Sequence, residues 1–502
     1  MRTSASHPLQ IAELMIGDGH GRIGITFCPG KYDPHAASGA WRRDLDLDLD
    51  AISAWGAAAV VTLVEPRELT MLRVEGLGDA VRLRQMLWYH LPIVDVSTPD
   101  QAFEDAWHDA GESLRAVLRS GFDVVVHCRG GLGRAGTIAA RLLIELGAEP
   151  ISAVKQVRKA RPGAIETPNQ KKYVLTHGAV PERRPAAEAV RDRAYGALLG
   201  LAVGDALGMP LEFLARDTYP PLLDMIGGGR HGLEAGEWTD DTSMALCLAD
   251  SLIASDGTLD PGDLMQRFVR WRDHGDNVVN GRACFDIGNT VRAALDRFAR
   301  DGEPIAGPTD PRSAGNGSLM RLAPVPIRFG HDRPRLREIA ALQSRTTHGA
   351  REAVEACVLF AEIVAEAIAG APRSEVLRPR AIEGLSEEVA AIAAGRWRGK
   401  PRAAIGSTGY VLHSLEAALW AVGSTADFES AVLKAANLGL DADSTAAIAG
   451  QLAGALYGLS GIPERWLLQL AQRDRIMARA EALVAQAQAE QQRTGAAAPA
   501  AS

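Results

Sequence analysis

Two groups of residues in this chain have the types and spacing that chemistry needs, and the two chemistries differ. The first is Cys128-Arg129-Gly130-Gly131-Leu132-Gly133-Arg134, preceded by Val124-Val125-Val126-His127. Read as strand, loop and helix, this stretch brings Cys128 to a glycine loop whose backbone N–H groups at Gly130, Gly131 and Gly133 converge on an anion. The positive end of the following helix adds to that field. A thiol placed there loses its proton well below its usual pKa of ~8.5 and becomes a nucleophile at neutral pH. Arg134 stands at the distance from which a guanidinium curls back and grips two phosphate oxygens. The loop therefore predicts phosphoryl transfer through Cys128. The departing oxygen needs an acid, and the segment His90 to Asp100 offers Asp95 as first candidate and Asp100 as second.

The second group is Thr239-Asp240-Asp241, completed two hundred residues later by Asp441, Asp443 and Ser444. Both clusters stand immediately before helical runs, so helix capping would account for some of these side chains. Oxygen-only donors with no histidine or cysteine beside them select Mg²⁺, Mn²⁺ or Ca²⁺ over zinc. Consecutive aspartates at a helix start diverge, so they reach two ions, or one ion from two sides. Glu212 ends a nearby glycine-punctuated segment. The glycines of Gly315-Asn316-Gly317-Ser318 permit a phosphate to approach the backbone closely.

These residues need two kinds of scaffold. Ala57 to Val64 and Phe122 to His127 are short, β-branched runs, as in buried strands, and helical spacing follows each. The N-terminal part is therefore an α/β domain with a largely parallel sheet. Around 181–189 the chain turns polar and proline-rich, which reads as a linker. Long alanine- and leucine-rich windows follow and predict a nearly all-α domain. The expected boundaries are 1–180, a linker over 181–189, 190–475, and a helical to disordered tail over 476–502. A length of 502 residues with a 47% apolar composition supports more than one folded core. A net charge of −8 excludes a global electrostatic footprint for nucleic acid or anionic membrane. Five scattered cysteines without a CxxC pair indicate neither a disulfide framework nor a zinc ribbon. With no signal-like N-terminus, the expected setting is cytoplasmic.

Around the cysteine loop the chain resembles the cysteine-dependent dual-specificity phosphatases, especially the kinase-associated group, through HCRGGLGRAGT, GRIGITFCPGK and HLPIVDVSTPD over about residues 20–180. That resemblance implies Cys128 as nucleophile, Arg134 as phosphate clamp and Asp95 as general acid. One departure is Ala135, where the family has Ser or Thr assisting breakdown of the cysteinyl-phosphate. Thr137 is the residue available to substitute for that hydroxyl.

Over about residues 190–470 the chain resembles the ADP-ribosylglycohydrolase family, including its dinitrogenase-reductase-activating type. The carrying segments are RAYGALLGLAVGDALGMPLEF, GEWTDDTSMALCLADSL, CFDIGNT, GNGSLMRLAPVPI, TTHGAREA, STGYVLHSLEAALWA and DADSTAAIAGQLAGALYG. The resemblance implies an all-helical fold with two Mg²⁺ ions, Mn²⁺ being the alternative. It makes Thr239, Asp240, Asp241, Asp441, Asp443 and Ser444 the metal ligands and Glu212 a gate or acid/base residue. Asp286, Gly317, Ser318 and Tyr410 become ADP-ribose contacts. Two departures are Leu440 and Ser444, which stand where the family commonly has Gly and Thr.

The combined expectation is a bifunctional hydrolase. It removes ADP-ribose from a modified protein, with arginine as the linkage, and dephosphorylates a protein or small phosphate ester. The alternative keeps the ADP-ribosyl hydrolase and makes the phosphatase-like part a phosphate-binding sensor. Neither nucleic acid nor membrane is an expected partner.

Overall fold

The computed structural model describes residues 1–36, 39–255 and 257–496. The chain divides into two compact units. The first comprises 1–183 with 398–403 and 423–426, and the second holds the remainder.

The first unit is built on a five-stranded sheet of β1 (Ala12–Met15), β2 (Arg22–Phe27), β3 (Ala57–Thr62), β4 (Leu87–His90) and β5 (Asp123–Cys128), in the order β1-β2-β5-β3-β4. Only β1 runs antiparallel to its neighbour; the other pairings are parallel. Every residue of β3 and β5 is buried, which explains their unbroken apolar runs where helices cover both faces. The central strand β5 pairs with β2 through Phe27 and Cys128 and with β3 through Thr62 and His127. Cys128 is thus the last residue of the middle strand. Helix α1 (Gly133–Glu145) follows it after a four-residue loop. This is the α/β domain with a largely parallel sheet that the sequence predicts.

The second unit is helical. Its centre is the pair α2 (Val190–Gly208) and α4 (Ala442–Tyr457). Gly196, Gly200, Gly204 and Gly208 recur every fourth residue and so form one stripe on α2. They face Gly454, Gly450, Ala446 and Ala442 in reverse order; a Cβ on Gly200 would lie 2.3 Å from the Gly450 carbonyl oxygen. The two backbones therefore touch, antiparallel, and bring the C-terminal turn of α2 against the N-terminus of α4. Helix α3 (Asp240–Ala254) supplies the third helix end at the same place. The stretch Ala187–Leu211 is long and apolar enough to cross a membrane by length and composition, but 94% of its apolar window is buried in this unit. The helix Arg473–Ala496 buries Ile476, Ala480 and Leu483 on one face. The disordered end expected after it falls on 497–502, outside the described residues.

Candidate active sites

In the first unit, Cys128 lies at the base of a cavity of about 800 Å³ that Asp95, Arg129, Gly130 and Arg134 also line. The loop closes on the thiol: the Gly131 N–H points at Cys128 Sγ, 3.2 Å away. Gly131 has φ +70°, and a Cβ there would meet the Thr26 carbonyl at 2.5 Å, so glycine is required. Gly133 opens α1, and Gly130 has open space where a Cβ would be.

The charges of this site are answered from within the protein. Arg134 is 2% exposed; it donates to both carboxylate oxygens of Glu68 and to the Ile93 carbonyl, and Asp95 lies 2.9 Å from its Nη2. Burial alone would raise the Glu68 carboxyl, yet the Arg134 guanidinium holds it below the usual range. Arg129 forms a two-pronged pair with Asp33, at 3.0 and 3.1 Å. The Lys31 ammonium donates to the Arg129 carbonyl at 3.1 Å. Behind the loop, burial pushes His127 down to about 3, so the neutral ring shares a hydrogen bond with Thr62.

The two candidate acids separate by role. Asp95 lines the cavity beside Arg134. Asp100 caps the following helix by accepting from the Phe103 N–H at 2.9 Å. Thr137, the residue available to substitute for the missing hydroxyl at Ala135, donates its Oγ1 proton to the Gly133 carbonyl at 2.7 Å inside α1.

In the second unit, Thr239 and Asp441 occupy the N-cap positions of α3 and α4, yet neither side chain caps its helix. Both take part in a buried oxygen cluster instead. Asp205, fully buried near the end of α2, accepts from the backbone N–H and hydroxyl of both Thr239 and Thr242, at 2.6–2.9 Å. Thr239 Oγ1 then lies 3.4 Å from carboxylate oxygens of Asp241 and Asp443, and Ser444 Oγ lies 3.3 Å from Asp241. Asp205, Asp241 and Asp443 present carboxylate oxygens within 4.8 Å of one another. Asp241 Oδ1 is buried with no hydrogen-bond partner.

Burial first, and then the neighbouring carboxylates, push Asp240, Asp241 and Asp443 well above the usual range. Asp205 and Asp441 rise to about 6. Oxygen donors, an orphaned buried oxygen and mutual repulsion are what hard divalent cations satisfy, so the residues present fit such ions.

Over this cluster opens a cavity of about 720 Å³, lined among others by Glu212, Asp240, Asp286, Gly317 and Asp441, a size suited to a small-molecule ligand. The Asn316 amide donates to Asp441 at 2.5 Å and to Ser414 at 2.9 Å, holding the carboxylate in place. Glu212 is 6% exposed, and burial followed by the Asp286, Asp441 and Asp205 carboxylates raises it to about 8. Its strand-like contact with Leu440 is bordered by two left-handed residues, Phe213 (φ 63°) and Leu440 (φ 59°). Leu440 thus keeps the backbone path a glycine favours, at a cost of about 1–2 kcal/mol. The hydrogen bonds Phe213 N–H to Leu440 (2.6 Å) and Leu440 N–H to Leu214 (2.7 Å) enforce it.

Two expected ADP-ribose contacts are not among the residues lining the cavity. Ser318 is fully buried and shares its hydroxyl with Ser344 at 2.8 Å; the chain turns inward after Gly317, so Gly317 lines the cavity and Ser318 does not. Tyr410 gives its hydroxyl to Glu352 at 2.6 Å, and its neighbour Gly409 lines the cavity. Sequence reasoning also misses Asp205, Asn316, His231 and Glu68 as parts of the sites. Asp205 leaves one signal, a lone carboxylate inside an apolar helical window.

Comparison with known proteins agrees with this division. Residues 186–493 match the family described as ADP-ribosylglycohydrolase. Residues 36–174 match the family described as Swiss Army Knife protein, DSP-PTPase phosphatase domain. The chain is 51% identical over 284 residues to an ADP-ribosylarginine hydrolase of Pseudomonas putida, covering 57% of this chain and 76% of the relative. It is 32% identical over 136 residues to cyclin-dependent kinase inhibitor 3 of Rattus norvegicus, covering 26% and 63%. Among solved structures, one titled as an ADP-ribosylglycohydrolase-related protein complex is 43% identical with a TM-score of 0.54, covering 60% of this chain and 99% of that one.

Proposed function

Because the chain belongs to the ADP-ribosylglycohydrolase family, we propose that residues 190–475 hydrolyse the N-glycosidic bond joining ADP-ribose to arginine in a modified protein. Residues 1–180 are assigned phosphate-ester hydrolysis through Cys128, and the setting is the cytoplasm. The observation that carries the first assignment is the buried oxygen cluster, in which Asp241 Oδ1 has no partner and carboxylate faces carboxylate. The name of the Pseudomonas putida relative supports the arginine linkage.

Thr239, Asp240, Asp241, Asp441, Asp443 and Ser444 would hold two Mg²⁺ ions, with Mn²⁺ as the alternative, and Asp205 positions Thr239. When bound, such ions supply Lewis-acid polarisation of ribose oxygens. Glu212 is the proton carrier: its burial favours the protonated carboxyl, the state from which a proton passes to the departing guanidine nitrogen. Asp286 and Gly317 line the space for the ADP-ribose. A panel of proteins ADP-ribosylated on arginine or on serine tests the linkage. Release from arginine alone supports it, and equal release from serine would contradict it.

In the first unit Cys128 attacks phosphorus, Arg134 binds the equatorial oxygens and Asp95 protonates the leaving oxygen. A second reading, phosphate binding without turnover, is favoured by one observation. Ala135 offers no hydroxyl and that of Thr137 is committed to Gly133, so nothing at those positions assists release of phosphate from the thiol. Steady-state hydrolysis of an aryl phosphate that Cys128→Ser abolishes supports the enzyme. Binding without turnover supports the sensor.

A further inference from the structure

The hairpin tip at 228–233 delivers a histidine into the acidic cavity. Gly228 and Leu233 exchange backbone hydrogen bonds at 2.7 and 3.0 Å, and Gly229 and Gly232 take φ values of 64° and 60°. The tip between them presents His231, whose ring packs against Phe285 with centroids 5.1 Å apart. His231 Nε2 lies 3.4 Å from Glu212 Oε2 and 3.6 Å from Asp286 Oδ2. Neither Nε2 nor Glu212 Oε2 has a hydrogen-bond partner, although both atoms are buried. Glu212, 94% removed from solvent by its 6% exposure, thus aims an unpartnered oxygen at an unpartnered nitrogen. Three donor atoms converge here, and all lie within 4.8 Å of one another.

We propose that Glu212, His231 and Asp286 form a further cation site, suited to a borderline divalent ion of the Zn²⁺ type, whose occupancy withdraws Glu212 from the reaction. The two His231 separations, 3.4 and 3.6 Å, fit: bonds of about 2.1 Å at tetrahedral angles set neighbouring donors about 3.4 Å apart. The chemistry also differs from that of the oxygen cluster, because the imidazole nitrogen favours zinc over magnesium. The three residues line the open cavity, which leaves a fourth position for water. One divalent pool thereby supports the enzyme and another restrains it. The restraint rests on the proposed role of Glu212; the cation site itself does not.

The test is equilibrium titration of the full chain with Zn²⁺ in saturating Mg²⁺, comparing wild type with His231→Phe. Wild type is expected to bind one zinc more than the variant, and zinc inhibition of ADP-ribose release in the variant is expected to need at least tenfold more metal. Equal stoichiometry in the two proteins would overturn the site. Co²⁺ loaded under the same conditions is expected to give ligand-field absorption in wild type that His231→Phe lacks; identical spectra in the two proteins would also overturn it. If no protein releases ADP-ribose, the functional reading fails while the extra zinc still decides the site.

Discussion

The cysteine loop and the acidic cavity solve the problem of buried charge in opposite ways. In the loop, Arg134 is met by Glu68 and Asp95, and Arg129 by Asp33. In the cavity, Asp205, Asp241 and Asp443 crowd together, and the hydroxyls of Thr239, Thr242 and Ser444 are their nearest relief. The first site is electrically complete as folded. On the proposed reading, the second is completed by cations from solution. This difference teaches where each site is vulnerable: the loop to loss of an internal partner, the cavity to loss of an ion.

The largest effect is expected from Asp241→Asn. Removing one carboxylate from the ion cluster should lower ADP-ribose release by about three orders of magnitude, the equivalent of several kcal/mol of lost metal-ion stabilisation. The same variant should keep or raise the metal-free thermal midpoint, because burial and the neighbouring carboxylates already disfavour the ionised Asp241. A fall in that midpoint would break the comparison. The mirror experiment is Glu68→Ala, which leaves Arg134 buried without its two-pronged partner. A loss of about 3–5 kcal/mol in denaturant unfolding is expected, with phosphate-ester binding weakened and ADP-ribose release unchanged.

Smaller again is Ala135→Ser, which restores a hydroxyl beside the thiol's loop. Turnover of an aryl phosphate should rise about tenfold, within what a positioned proton-transfer group contributes, and a pre-steady-state burst should report the intermediate. The smallest contrast between the units is expected from acid. Burial depresses His127 in the first unit and His348 in the second to about 3. Below a pH of about 6.5, the ordinary histidine value, the unfolded chain binds protons that the folded chain refuses. The stability contributed by these neutral rings is therefore lost as pH drops from about 6.5 towards 3. In the metal-free second unit the raised carboxyls of Asp205, Glu212 and Asp441 work the other way, since the folded state binds their protons more tightly. Unfolding followed by separate probes should show the first unit losing stability in acid and the second losing less; a first unit that gains stability between pH about 6.5 and about 5 would contradict the neutral His127 ring.

Much of both sites is legible because their reactive residues are contiguous. Cys128 to Arg134 forms one loop and Thr239 to Asp241 one helix start, so spacing alone carries the chemistry. The supporting partners are not legible in that way. Glu68 reaches Arg134 across 66 positions and Asn316 reaches Asp441 across 125, and tertiary packing alone decides those meetings. His231 is invisible for the same reason, since a glycine-rich tip gives no sign of which carboxylates it will meet. Ser318 and Tyr410 show the converse limit. Each lies one residue beyond a glycine that does line the cavity, and the hydroxyl of each is taken by another side chain, Ser344 and Glu352, which spacing cannot reveal. The fold is more readable, because the all-buried strands leave unbroken apolar runs and the long alanine- and leucine-rich windows mark the helices; the four-residue glycine period on α2 is a further mark that sequence reasoning passes over. The closeness of α2 and α4 follows from that period directly.

The most direct test treats one sample of the full chain with excess chelator and then restores Mg²⁺ stepwise, following ADP-ribose release from an arginine-modified protein alongside phosphate-ester binding at the Cys128 loop. The account predicts that release vanishes and returns with saturation while binding at the loop stays constant. Release that persists in excess chelator would contradict it.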